Sequence, residues 1–310
     1  MNGIGSYYKK LISKVKNGSV LYTLGNTYRN HASIRYVDDP DIKVALNLEF
    51  VYKKLKHKYS YVLQSDEALL NVKEEKSNKI WTIWLQGYDN APELSKVCIS
   101  RIIDRFGAKN VTIVTMDNIN DYIKIPEYIL KKWRDGKISY VHLADYIQIA
   151  LLAQHGGTWF DATVYIMDEV IPDYFMNSPF FVFNNYKRGT VVNISSWFMT
   201  SYKNNKIMRI TQLMLEEYWK NENDVMHYLI LHLFIRIITD EFQSEWKAVP
   251  NFSNIQAHTL AYEIFDKYSE LREKQIGSMC PIQKLSNKFD FPDTVDGTFY
   301  SELICKGERK

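Results

Sequence analysis

The feature that most constrains this chain is a strand–helix–strand pattern compressed into positions 80–116. Ile80-Trp81-Thr82-Ile83-Trp84-Leu85 is a short apolar run that reads as a buried strand. Turn residues fill positions 87–90, and Pro92 suits a first helical position. Leu94, Val97, Ile102 and Phe106 then recur at near-helical spacing until Gly107 stops the helix. Val111-Thr112-Ile113-Val114-Thr115-Met116 is the second strand. Two strands joined through a helix run parallel, and a parallel sheet needs helices on its faces, so the class is α/β. Such sheets bind ligands outside the carboxyl ends of their strands, which makes loop 85–90 a candidate ligand site.

A second segment carries the chemistry. Leu143, Ile147, Ala150, Leu151 and Gln154 share one helical stripe, and Asp145 and Gln148, three apart, are neighbours near the start of that helix. Gly156-Gly157 ends it and lets the chain turn tightly. An apolar run containing Asp161 follows; if extended, it points Asp161 and Thr163 the same way. A carboxylate among Trp159, Phe160, Val164 and Ile166 is costly to bury unless something pairs with it. A divalent cation would do so, and hard oxygen donors suit Mg²⁺ or Mn²⁺, which bridge substrate phosphates. Two plainer readings stand beside this one. Asp161 can cap a turn after the strand, and Asp145 can be an acidic residue facing the helix macrodipole.

Composition narrows the classes. With 46% hydrophobic and 24% charged residues over 310 positions, the chain can bury a real core, which excludes wholesale disorder. A net charge of +3 gives no nucleic-acid coat. The 22 Tyr, 15 Phe and 7 Trp offer surfaces on which sugars or bases stack. Cys98, Cys280 and Cys305 are far apart and form no CxxC pair, which fits a reducing compartment. No run approaches the ~18 apolar residues that span a bilayer, and the N-terminus lacks the apolar region of a signal peptide, so a cytoplasmic protein is expected. Residues 1–78 read as a largely helical N-terminal extension with Lys9, Lys10, Lys14, Lys16 and Lys53, Lys54, Lys56, Lys58 in basic runs, ending in a polar linker at 73–78. Residues 79–310 read as the α/β domain that carries the segment with Asp145 and Asp161.

The run Asp145, Gln148, Gly156-Gly157, Trp159 and Asp161-Ala162-Thr163 resembles the signature of family 32-like capsular polysaccharide glycosyltransferases with the GT-A fold. That signature is an acidic residue, an Arg three positions later, Gly-Gly, an aromatic and Asp-x-Asp. Asp161 follows Asp145 by 16 positions, in agreement with it. Large clostridial glucosylating toxins share a more distant version, and the overall match looks closest to streptococcal capsule galactosyltransferases. The resemblance covers about 79–288 and implies a Rossmann-like, mixed, mainly parallel sheet flanked by helices. Gln148 departs from the pattern's Arg, and Thr163 from its second Asp, although capsule-type members commonly read Asp-Ala-Thr. Losing one negative charge implies a metal held loosely, or largely by the nucleotide diphosphate.

The resemblance implies retaining transfer of a hexose from a UDP-sugar to a polyprenyl-diphosphate-linked saccharide, forming an α-glycosidic bond. UDP-galactose is the first expected donor and UDP-glucose the second. Catalytic assignments fall on Asp145, Asp161 and Asp224, and Mn²⁺ or Mg²⁺ on Asp161, Thr163 and Gln283. Trp84 (against the uracil ring), Asp145, Gln148, Trp159 and Lys284 are the donor-binding candidates. Ser195, Trp197, His227 and His232 fall on the acceptor side. In the segment 223–232, read as a helix whose apolar stripe includes Tyr228, Leu231 and Ile235, His227 stands on the family's Asp position unless Asp224 takes over. Core packing of Trp84 and His232, and a solvated Lys284, are the structural alternatives. The N-terminal lysines and the tail residues Lys306, Arg309 and Lys310 imply contact with an anionic membrane at the inner face of the cell membrane. A degenerate, non-catalytic UDP-sugar or glycan-binding module competes with the transferase, as does a glycoside hydrolase built on Asp145 and Asp161.

Overall fold

The structure, a computed structural model, describes residues 39–185 and 191–308. The lysines at 9, 10, 14 and 16, the side chain of Lys306, and Arg309 and Lys310 lie outside the described residues.

The described part opens with α1 (Pro40–Tyr59), which has Pro40 at its first turn and the Asp39 carboxylate accepting the N–H groups of Asp41 and Ile42. Next come β1 (Ile80–Ile83), α2 (Glu93–Phe106) and β2 (Val111–Val114), the strand–helix–strand unit. Pro92 serves as the N-cap of α2 rather than its first residue, and Gly107 closes it at φ +83°. Then α3 (Tyr140–His155) starts where Ser139 Oγ accepts the His142 N–H. Buried along most of its length, α3 lies between α4 (Lys206–Asn221) and the sheet.

The main sheet has the order β2-β1-β3-β6-β5, with β3 (Gly157–Phe160), β5 (Phe180–Asn184) and β6 (Ile194–Ser201). Ile80 pairs in parallel with Val111 on one side and Thr158 on the other. β6 runs antiparallel to both β3 and β5. Four strands therefore point one way and β6 alone opposes them, the mixed, mainly parallel sheet expected from the sequence. A separate antiparallel pair joins β4 (Val164–Ile166) to β7 (Ile282–Lys284). The chain finishes with α5 (Ile230–Glu241) beside α4, and α6 (Phe299–Glu308) against α2.

The described residues before position 79 share a core with those after it. Leu48, Val51, Leu55 and Tyr59 of α1 belong to one buried cluster with Trp81, Ile147 and Phe234. The Tyr59 ring lies 5.6 Å from that of Tyr218 and 5.9 Å from that of Phe234. The stretch read as a linker is also tied down. Glu75 exchanges two backbone hydrogen bonds with Lys203, and Glu74 accepts the Lys206 N–H at 3.1 Å, capping α4. Among the described residues, no helix is long and apolar enough to cross a membrane.

Candidate active site

A cavity of about 370 Å³ opens at the carboxyl ends of β1 and β3. Trp84 and Gln86 reach it from the end of β1, Asp145 and Gln148 from α3, and Asp161 and Thr163 from the turn after β3. This is where a parallel sheet exposes strand ends and loops together.

The turn depends on the two glycines that close α3. Gly156 and Gly157 have φ of +64° and +102°, and a Cβ on either would meet backbone, Lys203 N at 2.3 Å and Lys79 O at 2.2 Å respectively. The close approach lets β3 enter the sheet directly from the helix and end at Phe160. Asp161 is not in an extended strand: its carbonyl accepts the Val164 N–H at 2.9 Å, so residues 161–164 form a turn. The period-two expectation is corrected accordingly, and the turn still brings Asp161, Ala162 and Thr163 all to the cavity wall.

Every oxygen of the Asp161 carboxylate is engaged. Oδ1 accepts the indole N–H of Trp159 at 3.0 Å, and Oδ2 lies 3.2 Å from Lys284 Nζ. The same ammonium donates to Thr163 Oγ1. Lys284 stands opposite Val164 on the β4–β7 ladder, and the Leu285 N–H donates to Thr163 O at 2.9 Å, so the ladder sets where this lysine can reach. Asp145 has the opposite character. Burial, and then the nearby Asp161 charge, push its carboxyl up to about 8. Burial likewise drives the His232 imidazole down to about 4 against the opposing pull of Asp161. Among the described residues, Trp84 Nε1 and His232 Nδ1 are buried without a hydrogen-bond partner. A cavity walled by such groups suits a ligand rich in hydroxyls.

Of the residues singled out from sequence, Trp84, Asp145, Gln148, Trp159, Asp161, Thr163 and His232 come together here, with Lys284 directly behind Asp161. Two of them are largely committed to the protein. The Gln148 amide donates to Ser196 O at 2.7 Å, and Trp159, 1% exposed, holds Asp161.

Others are corrected. Gln283 is fully buried, its amide bonding the Leu260 N–H and the carbonyls of Gln256 and Cys280, so no donor remains for a metal. Asp224 lies outside the cavity wall and accepts the Val225 N–H within its own loop. His227 Nδ1 accepts the Leu229 N–H, again in a turn. Trp197 stacks on Phe183 at 4.6 Å inside a second buried cluster, and Ser195 Oγ accepts from Asn254; the neighbouring Ser196 is the one at the cavity. The helix expected from 223 starts only at Ile230, which leaves Tyr228, 64% exposed, on the cavity rim. Sequence reasoning placed Tyr228 in an apolar stripe because Leu231 and Ile235 share its spacing; nothing local marks the later helix start.

The oxygens that could meet a divalent cation here are the Asp161 carboxylate and the Thr163 hydroxyl, both hard donors. No group of three or more His, Cys, Asp or Glu among the described residues could hold a metal ion. Two hard-oxygen residues match the ligand preference of Mg²⁺ or Mn²⁺ but fall short of a complete protein shell.

These features define an α/β protein whose candidate ligand site sits at the carboxyl edge of a mixed sheet, with two carboxyl groups in its wall and one lysine behind them. The chain belongs to the capsular polysaccharide synthesis protein family, whose model matches residues 38–303. Among solved structures it is similar to one described as "PaToxG Glycosyltransferase", at 14% identity over 85% of this chain and 97% of that one, with a TM-score of 0.38. No curated protein matches.

Proposed function

We propose that this member of the capsule-synthesis family is a retaining glycosyltransferase that moves a hexose, first galactose and second glucose, from a UDP-sugar to a lipid-linked saccharide at the inner face of the cell membrane. The observation that carries this reading is the joint placement of Asp145, Asp161, Thr163 and Lys284 in and behind one cavity at strand ends. Family membership supports the pathway, and the buried ring nitrogens of Trp84 and His232 support a hydroxyl-rich ligand.

In this reading the bond from the anomeric carbon to the diphosphate oxygen breaks and its electron pair leaves on the diphosphate. The acceptor oxygen bonds to the same carbon from the same face, and its proton passes to the departing diphosphate. Lys284 supplies a positive charge beside the leaving group. Asp145, shifted toward its neutral form, exchanges hydrogen bonds with sugar hydroxyls and fixes the anomeric carbon, so that positioning supplies much of the rate. A divalent ion on Asp161 and Thr163 would add Lewis-acid neutralisation of the diphosphate.

The test is UDP release from a panel of UDP-sugars with Mn²⁺, with and without a polyprenyl-diphosphate-linked sugar. Acceptor-dependent release is expected, and Asp161→Ala should abolish it. Near-normal turnover in that variant would remove Asp161 from the reaction, and binding of UDP-sugar without any release would leave a binding module instead.

A further inference from the structure

We infer that Lys284 is the built-in occupant of the cation position in the free protein, so that a divalent ion enters only together with a diphosphate and not ahead of it. The inference rests on the transferase reading above for the identity of that diphosphate, and on the geometry alone for the occupancy.

Three observations carry it. First, the two oxygens proposed to share a metal, Asp161 Oδ2 and Thr163 Oγ1, are bridged by one ammonium, while Asp161 Oδ1 is held by Trp159. An ion arriving alone meets donors that are each already engaged by a protein group. Second, the bridge is built into the fold. Lys284 pairs with Val164 across the β4–β7 ladder, one residue beyond Thr163, and the Leu285 N–H closes on Thr163 O. The backbone keeps the ammonium within reach of this pair even when the side chain moves. Third, the charges balance: one carboxylate against one ammonium. A bare divalent ion would have to displace a like charge and strand it in a mostly buried position, since the Lys284 side chain is 21% exposed.

A diphosphate changes that balance. Its oxygens give the ammonium a second anion to pair with, the ordinary preference of lysine for phosphate. Lys284 then swings from Asp161 to the phosphate, and Asp161 and Thr163 become free to share an ion with the same diphosphate. The lysine thus couples the two ligands positively, and by linkage each raises the affinity of the other by one common factor. The arrangement also keeps Asp161 paired while the site is empty.

The test is Mn²⁺ binding to the full chain, read by the electron paramagnetic resonance of the free ion, with and without UDP and against a UDP blank without protein. Wild-type protein should bind Mn²⁺ at least tenfold more tightly with UDP than without. Lys284→Met should gain tenfold or more in affinity for Mn²⁺ alone, Lys284→Arg should not, and Lys284→Met with Asp161→Asn should lose the gain. Circular dichroism checks that each variant is folded. Equal Mn²⁺ affinity with and without UDP in the wild type would overturn the coupling, and unchanged ion binding in folded Lys284→Met would overturn the occupancy. If UDP fails to bind under any condition, the transferase reading falls, whereas the gain in Lys284→Met still decides whether the lysine fills the site.

Discussion

Trp159 Nε1 lies 3.0 Å from Asp161 Oδ1, so strand β3 carries, one residue before its end, a donor to the carboxylate two residues on. A hydrogen bond to a charged group is worth about 1.5–3 kcal/mol, enough to decide one rotamer over another. Trp159→Phe keeps the aromatic bulk and removes the donor. The expected result is a turnover lower by about 10- to 100-fold, with KM for the UDP-sugar changed less than threefold. A matched rise in KM with unchanged kcat would show Trp159 to be a ligand contact rather than a positioning residue.

Gly157→Ala should unfold more than it disables. The added Cβ would sit 2.2 Å from Lys79 O at a φ of +102°, and the obstacle is backbone that cannot rotate away. A loss of about 3 kcal/mol or more is expected in urea unfolding. Gly136→Ala is the control, because its Cβ meets nothing within 4 Å although its φ is +72°.

Acid should destabilise the protein through His232. Its folded pKa is held near 4 by burial, below the ordinary 6.5, so the unfolded chain binds the proton more readily than the folded one. The stability contribution is whole above about pH 6.5 and is lost as the pH falls toward 4, by at most about 3 kcal/mol. His142 and His227 are shifted the same way, also by burial. His232→Gln should flatten the fall in melting temperature between pH 6.5 and 4; an unchanged slope would assign that loss to other groups.

Leu55 tests whether α1 is structural to the domain that carries the cavity. It is fully buried in the cluster that includes Phe234 and Ile147. Leu55→Ala should cost about 2–5 kcal/mol in a single cooperative transition. A separate, lower transition with the main one unmoved would mean that α1 folds and melts on its own.

The parallel strand–helix–strand unit was legible because its signals are local: an apolar run, a proline, a helical stripe and a stopping glycine within 37 residues. So was the gathering of Asp145, Gln148, Trp159, Asp161 and Thr163, since one helix and the short strand and turn that follow it carry all five. Gln283 was misread as a metal donor beside Lys284 because adjacent strand residues face opposite ways, and only the neighbours Leu260, Gln256 and Cys280 show which face is buried. Tyr228 and Ser196 were missed for the same kind of reason, the rim being assembled from a loop before α5 and from strand β6, far from α3 in sequence.

What the sequence by itself determined is the α/β class and the chemical character of the site, because hydrophobic period, glycine placement and carboxylate spacing act over a few residues. The tertiary structure alone decided that Lys284, 123 positions after Asp161, is the counter-ion of that carboxylate. It also decided that α1 belongs to the core and that Trp197 and Gln283 do not reach the cavity. Contacts of that range are set by how the β4–β7 ladder and the helical layers pack, and no local pattern along the chain encodes which side chains they will bring face to face.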